Sequence, residues 1–483
     1  MELKVKTTAL LRPTVLALAV ALAGCASVPP DHQALVKRDI ASAEIASSIK
    51  LANEGWPQAQ WWTAYHDEQL NAIIKQALAG SPSLEVAAAH IGSARSSLSR
   101  TVADMGIDSA LFANANRQRY SGTGLFPAPI GGAYFSEETL RLDLRYNFDW
   151  WGKNRAQVAA AVGELNAGRA AYAEAEQALA ASIAQSYFRL QGAWARLANT
   201  DKLAATQTAL VQDKARRIAN GLANADEQRA AEADLSLIRK QQAQLKSDIE
   251  HEREALRALA GADNRALADL KPAPLTPAPH TLPARLGLEL LARRPDLQAA
   301  RWKVEASLSK IDAAKAAFYP DVNLTGSIGL DTVKIENLLQ SASRTLYLGP
   351  TLSLPLFDSK RLDAQLDSAR TTRNERIAEY NQTIVDAVRD VAQGGAQLQG
   401  IEQQITQQSA ATSSARAQLA SAQARMDRGL ANNNSVLNAR LALLRQQDAD
   451  LYLQQVQLLA EIALTNALGG GYHEEAPLAT ATK

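Results

Sequence analysis

Between Thr139 and Lys153 the chain reads TLRLDLRYNFDWWGK. Leu140, Leu142, Leu144, Tyr146, Phe148 and Trp150 alternate with Arg141, Asp143, Arg145, Asn147 and Asp149. A period of two sends alternate side chains to opposite faces, so the stretch predicts a β-strand with one dry and one wet face. The alternation recurs three times. Ile107, Leu111, Ala113 and Ala115 interleave with Asp108, Asn114, Asn116 and Gln118. Val322, Leu324, Ile328 and Leu330 interleave with Asn323, Thr325, Ser327 and Asp331. Leu346, Leu348, Leu352, Leu354 and Leu356 interleave with Thr345, Tyr347, Thr351 and Ser353. SGTGLFPAPIGG joins the first pair of strands and TVKIENLLQSAS the second.

Elsewhere the period is helical. No Pro lies between Pro129 and Pro272, or between Pro355 and Pro477. A Pro costs ~3 kcal/mol inside a helix, so long helices belong in these gaps. In the second gap Ile377, Ile384, Val391, Leu398, Ile405, Thr412, Leu419 and Met426 recur every seven residues. In the first, Val158, Leu165, Tyr172 and Leu179 do the same, and a four-residue step continues the seam at Ile183, Leu190, Leu197, Ala204, Val211 and Ile218. Heptads predict coiled-coil packing, locally straightened by the stutter. Each descending helix is expected to run for about 60 residues, roughly 90 Å at 1.5 Å per residue. Turns at Gly221 and Gly429 are expected to send the chain back.

The two gaps belong to an internal repeat. SPSLEVAAAHIGSARSSLSRTVADMGID (Ser81–Asp108) lies on RPDLQAARWKVEASLSKIDAAKAAFYPD (Arg294–Asp321) without a gap, Pro82 meeting Pro295 at an offset of 213. Gly-Leu-Ala-Asn begins at Gly221 and again at Gly429, an offset of 208. Each half therefore holds a helix, two strands and a long helical hairpin.

The N-terminus has a different pattern. Lys4, Lys6 and Arg12 precede the short apolar run Thr14–Ala23, as in a secretory signal, and the run is too short for a comfortable membrane helix. It ends in Leu22-Ala23-Gly24-Cys25, which resembles the bacterial lipobox. That likeness implies acylation of Cys25, and Ala26 in place of Asp then implies the outer membrane. The reading divides the chain into a signal peptide (1–24), a lipidated N-terminal segment (25–80), a first repeat (81–269), a Pro-rich linker (270–293), a second repeat (294–468) and a tail (469–483).

Composition narrows the function. The 483 residues carry 51 basic and 50 acidic side chains, with no long basic run, so nothing points to nucleic acid. One Cys excludes an intrachain disulfide. His32, His66, His90, His251, His280 and His473 lack metal-ligand spacing, and no nucleophile motif or phosphate loop occurs, so no cofactor, metal or catalytic residue is expected.

The dry faces of the strands need a cover. The long helices use their seams on one another, which leaves lipid, with Arg141, Asp143 and Arg145 facing a watery lumen. Four strands cannot close a barrel, roughly eight are needed, and an open edge is not tolerated in lipid. Two copies would supply eight strands and three would supply twelve; a passage for bulky solutes favours twelve. Trp150 and Trp151, at the end of one strand, suit a membrane interface.

The chain resembles the outer-membrane factors of tripartite efflux pumps, the TolC-like proteins, and within them the lipid-anchored NodT-type branch of multidrug-resistance lipoproteins. GWPQAQWW (Gly55–Trp62), ELLARRPDLQAARW (Glu289–Trp302), FYPDVNLTGSIG (Phe318–Gly329), LPLFD (Leu354–Asp358) and ALGGGYH (Ala467–His473) carry the likeness. It implies an α+β membrane protein: a homotrimer with four strands per chain in a twelve-stranded barrel, continued by a periplasmic α-barrel. It also implies a periplasmic adaptor and an inner-membrane transporter as partners. Exposed Leu222 and Leu430, beside Gly221 and Gly429, are expected to dock the adaptor. The family narrows its tip with carboxylates beyond the second turn, but the matching positions here are neutral Ser435 and Asn438. Any acidic aperture must then come from Asp226 and Glu227 of the first turn. A periplasmic adaptor or a structural envelope lipoprotein is the alternative, but neither would carry amphipathic membrane strands.

Overall fold

The computed structural model describes residues 28–39, 49–50, 55–222, 224–262, 267, 269–283, 287–355 and 358–473. Cys25 and the expected signal peptide lie outside the described residues. After a 3-10 turn at Trp61–Tyr65 the order is α1 (Glu68–Gly80), α2 (Pro82–Ala103), β1 (Ile107–Arg119), β2 (Tyr134–Asn147), α3 (Lys153–Ala219) and α4 (Ala225–Leu259). Then follow α5 (Gly287–Arg293), α6 (Pro295–Ala316), β3 (Asp321–Thr332), β4 (Arg344–Ser353), α7 (Ser359–Asp427) and α8 (Asn433–Ala467). Among the described residues no helix is long and apolar enough to cross a membrane.

The repeat is visible in local chemistry. Pro82 and Pro295 each start a helix in its first turn, where a missing N–H costs nothing. Asn224 and Asn432 cap the two return helices, accepting from the N–H of Glu227 at 3.0 Å and of Ser435 at 3.1 Å.

The long helices α3 and α7 contain 67 and 69 residues, rather longer than expected, about 100 Å each. The return helices α4 and α8 hold only 35 residues each, about 52 Å. The 22-residue α2 and α6, about 33 Å each, fill the other part of each lane. Helix α3 packs against α2 and α4 of its own half and against α6 and α8 of the other; α7 packs against α6 and α8. The lanes thus run α2/α4, α3, α6/α8, α7. Close approach is built in: a Cβ on Gly163 of α3 would meet the Ala306 Cβ of α6 at 3.0 Å.

The heptad seam holds best near the middle. Ile377, Ile384, Val391 and Leu398 are buried, whereas Leu419 and Met426 are half-buried. The largest core cluster gathers Trp61, Trp62, Tyr65, Tyr187 and Phe188 with α1 and α3, and burying each such ring stabilises by ~1.5–3 kcal/mol or more. Trp61 and Trp62 are therefore packing residues.

All four strands form one antiparallel sheet in the order β1-β2-β3-β4. One side of each edge strand, β1 and β4, has no partner among the described residues.

Candidate conduit: sheet faces, junction and tips

Sheet register decides which side chains share a face. Leu111 is opposite Leu142, which is opposite Ile328, which is opposite Leu346. Ile107, Tyr146, Leu324 and Pro350 form a second such row. The four alternations read from the sequence are therefore in phase, and their apolar sets share one face, exposed at Leu111, Leu142, Ile328 and Leu346 and half-buried at Val322, Leu324 and Leu330.

The opposite face is polar. Arg141 Nε sits 2.7 Å from Asp143 Oδ1, and its guanidinium lies 5.3 Å from the centroid of Phe112, its cross-strand partner. Arg145 is opposite Asp108 and Thr325. Asp108, Asp143, Arg145, Ser327 and Tyr347 line a hollow of about 370 Å³ on this side.

Strand β2 stops at Asn147, short of the predicted end at Trp150. Asp149 adopts a left-handed φ of 46° and accepts from the N–H groups of Asn154 at 2.8 Å and Arg155 at 3.0 Å. That capping overrides the alternation. The Trp pair then splits. Trp150 is exposed and continues the aromatic line Tyr146–Phe148–Trp150, with centroid spacings of 5.1 and 5.8 Å. Trp151 stacks on Tyr319 at 4.6 Å and donates its indole N–H to the Pro320 carbonyl at 2.7 Å. Both line an 850 Å³ hollow at the junction of sheet and helices.

At the far end the two tips match. Gly221 and Gly429 have φ of 71° and 76°. Leu222 N–H bonds the Arg217 carbonyl, and Leu430 N–H the Arg425 carbonyl, both at 2.8 Å. Each is a Schellman turn, whose left-handed residue favours Gly. Leu222 is 67% exposed and Leu430 73%, so neither packs into its own hairpin.

The acids beside the first tip are already partnered. Asp226 pairs with Arg229 at 3.0 Å and Glu227 with Lys214 at 2.8 Å. The Lys214 hydrogen bond and charge hold the Glu227 carboxyl below its usual range. Ser435 Oγ donates to its own cap, Asn432, and Asn438 donates to Asn434. Sequence reasoning missed Asp213, a buried acid that accepts from Asn433 Nδ2 at 3.3 Å and so ties α3 to the second tip. Its repeat counterpart is Ser421, so the periodicity gave no signal.

Two further arrangements were not foreseen. The extended segment 28–39 lies along α7. Asn374 accepts from Leu35 N–H and donates to the Gln33 carbonyl, at 3.1 and 2.8 Å. Asn381, two turns on, accepts from Arg38 N–H and donates to the Val36 carbonyl, at 2.7 and 3.0 Å. Arg373 pairs with Asp31, and Lys37 reaches Glu305 of α6 at 3.1 Å. In the Pro-rich linker, His280 lies between Glu402 of α7 at 3.0 Å and buried Glu461 of α8 at 3.3 Å. The adjacent Glu461 carboxylate foremost, and Glu402 with its hydrogen bond, raise the imidazole pKa against the opposing effect of burial. Among the described residues no cluster fits a metal ion.

Comparison with known proteins agrees with this arrangement. The family described as outer membrane efflux protein matches residues 73–262 and 286–470. MdtP of Escherichia coli strain K12, a multidrug resistance outer membrane protein, is 36% identical over 477 residues, covering 96% of this chain and 96% of MdtP. The outer membrane protein VceC from Vibrio cholerae has a similar crystal structure, with TM-score 0.77 and 33% identity over 86% of this chain and 100% of VceC. The CmeC outer membrane channel of Campylobacter jejuni shares the fold, with TM-score 0.81 at 20% identity over 92% of this chain and 94% of CmeC. A TolC-like sheet-and-helix chain matched along both repeats in this way belongs to the outer membrane efflux protein family, and its role is that of an outer-membrane channel in an efflux system.

Proposed function

We propose that three copies of this chain close a twelve-stranded barrel and export drugs or other small toxic compounds passively. The observation that carries this reading is the in-phase sheet: one face predominantly apolar from the Ile107–Tyr146–Leu324–Pro350 row to the Leu111–Leu142–Ile328–Leu346 row, the other lined by Arg141, Asp143 and Arg145, with β1 and β4 unpaired at its edges among the described residues. In lipid both edges must be paired, and pairing β4 of one copy with β1 of the next does so. The four helical lanes of each copy extend the lumen into the periplasm. Trp150 marks the periplasmic interface of the bilayer and Trp151 braces the junction.

In this reading Cys25 carries lipid, and the segment 28–39 leads from it along α7. The six exposed leucines of the tips, Leu222 and Leu430 from each copy, dock a periplasmic adaptor, which connects the channel to an inner-membrane transporter. Small apolar contacts are weak singly and strengthened by repetition. Reconstitution of the purified full-length protein into planar bilayers tests the reading: discrete channels from a heat-modifiable trimer are expected, and a protein that extracts as a soluble monomer would exclude it.

A further inference from the structure

The hairpin end of the sheet carries charges that the conduit does not use. Arg117 and Arg119 continue the phase of Ile107, Leu111 and Ala113, so they stand on the lipid side. Arg117 is opposite Ser136, and Arg119 is opposite Tyr134. Both guanidinium groups sit against the same Tyr134 ring, 5.9 and 6.0 Å from its centroid. Arg119 Nε also donates to the Gly132 carbonyl at 3.1 Å, which fixes that arm. Among the described residues neither arginine has a carboxylate within ion-pair distance. The nearest acid on this face along the strand, Glu138, is opposite Ala115, one row nearer the helices.

The height of the pair matters. Ten residues from Ile107 to Arg117 span about 34 Å along the strand. Tilted by about 40°, that is about 26 Å, the height of the apolar band of an outer-membrane barrel. On this face the apolar residues give way to Arg344 and Glu138 in the two rows below, so the arginines stand just beyond the end of the apolar band. If the helices are periplasmic, as proposed above and as this inference requires, that boundary is the outer leaflet. Two cations held on one ring with no acid repel each other. A phosphomonoester, with a charge of about −1.5 to −2, can accept paired hydrogen bonds from planar guanidinium forks.

We propose that Arg117, Arg119 and Tyr134 bind the phosphate of an outer-leaflet glycolipid of the lipid A type. Tyr134 holds the two forks apart and presents an aromatic surface at the interface. The site is separate from the lumen and faces the bilayer.

The test uses detergent-purified full-length protein and native mass spectrometry. The probes are bisphosphorylated lipid A, the same lipid after phosphatase treatment, and phosphatidylglycerol. Retention of the bisphosphorylated form at least tenfold above the other two is expected, and Arg117→Gln with Arg119→Gln should remove that preference while the oligomer persists. Should that variant not assemble, Arg117→Lys with Arg119→Lys keeps the charge but loses the forks and should lower retention several-fold. Equal retention by the wild type of all three lipids, or undiminished retention of lipid A by either double variant, would overturn the site. Topology is checked separately by Leu125→Cys in the adjoining hairpin. Labelling by a membrane-impermeant maleimide in intact cells is expected, and a channel in the outer membrane that stays unlabelled would overturn the orientation on which the site depends.

Discussion

Lys214 Nζ lies 2.8 Å from Glu227 Oε2, so the long helix α3 is tied to α4 across the first tip turn. Asp226 is likewise engaged, by Arg229. The two acids expected to form a negative aperture are thus each matched by a cation of the same chain. Asp226→Asn with Glu227→Gln would leave Lys214 and Arg229 unmatched at the mouth. The expected result is a reversal potential shifted toward anion preference in a salt gradient; unchanged selectivity would remove this tip from the conduction path.

The exposed leucines give a second prediction. Leu222→Asp with Leu430→Asp alters two side chains that touch little in their own hairpins, so folding should be within ~0.5 kcal/mol of wild type. Cross-linking to the adaptor and drug efflux should both be lost. Normal cross-linking would assign docking elsewhere.

Leu144 and Asp143 are neighbours on opposite faces of β2. Leu144→Arg puts a charge among lipid tails, at a cost of up to about 2–4 kcal/mol per protomer, the upper end applying at the midplane. Asp143→Arg breaks only its pair with Arg141, whose partners are both about 40% exposed and which is worth ~1 kcal/mol or less. Heat-resistant oligomers are expected from the second variant and not from the first, on unheated gels. Equal yields would reverse the face assignment.

His280 supplies a pH dependence. Its folded pKa is raised by Glu461 and Glu402, so its contribution is full below the ordinary imidazole value of 6.5 and is lost as pH rises through the folded value. Melting temperature should fall over that window, and His280→Gln should flatten the fall. A profile that is identical in the variant would show that this contact is energetically idle.

Asp31 behaves with the opposite sign. The hydrogen bond from Arg373, only 7% exposed, holds its carboxyl below the ordinary aspartate value of 3.8. The contribution is present above that value and lost as pH falls through the lower folded one. Asn374→Ala with Asn381→Ala removes four backbone tethers of the same segment, each worth ~0.5–1.5 kcal/mol. Faster cleavage within residues 31–39 by limited proteolysis is expected at neutral pH, and an unchanged rate would mean that the asparagines do not hold the segment.

Much of this fold was legible because two patterns carry most of it. Strict alternation located all four strands, and Pro-free stretches with heptads located α3 and α7. Helix ends were less legible. Freedom from Pro does not mark a stop, and α4 ends thirteen residues before Pro272, where Gly261 takes a φ of 59° and Ala262 N–H returns to the Arg257 carbonyl. Likewise, alternation through Trp150 concealed the cap made by Asp149. At the tips, sequence exposed Gly221 and Gly429 but not the partners of Asp226 and Glu227, since the Lys214 contact needs the hairpin to be closed. Asp31 and Arg373 meet across 342 positions, a contact with no local signature.

Three copies with a water-lined polar face is the central claim, and one recording tests both parts. Ser327 lies on that face between Asp143 and Tyr347, and Ile328 lies on the other. A positively charged methanethiosulfonate applied to single Ser327→Cys channels in a planar bilayer should change the current in three discrete steps, with no change for Ile328→Cys. Two steps, or a response from Ile328→Cys and none from Ser327→Cys, would contradict it.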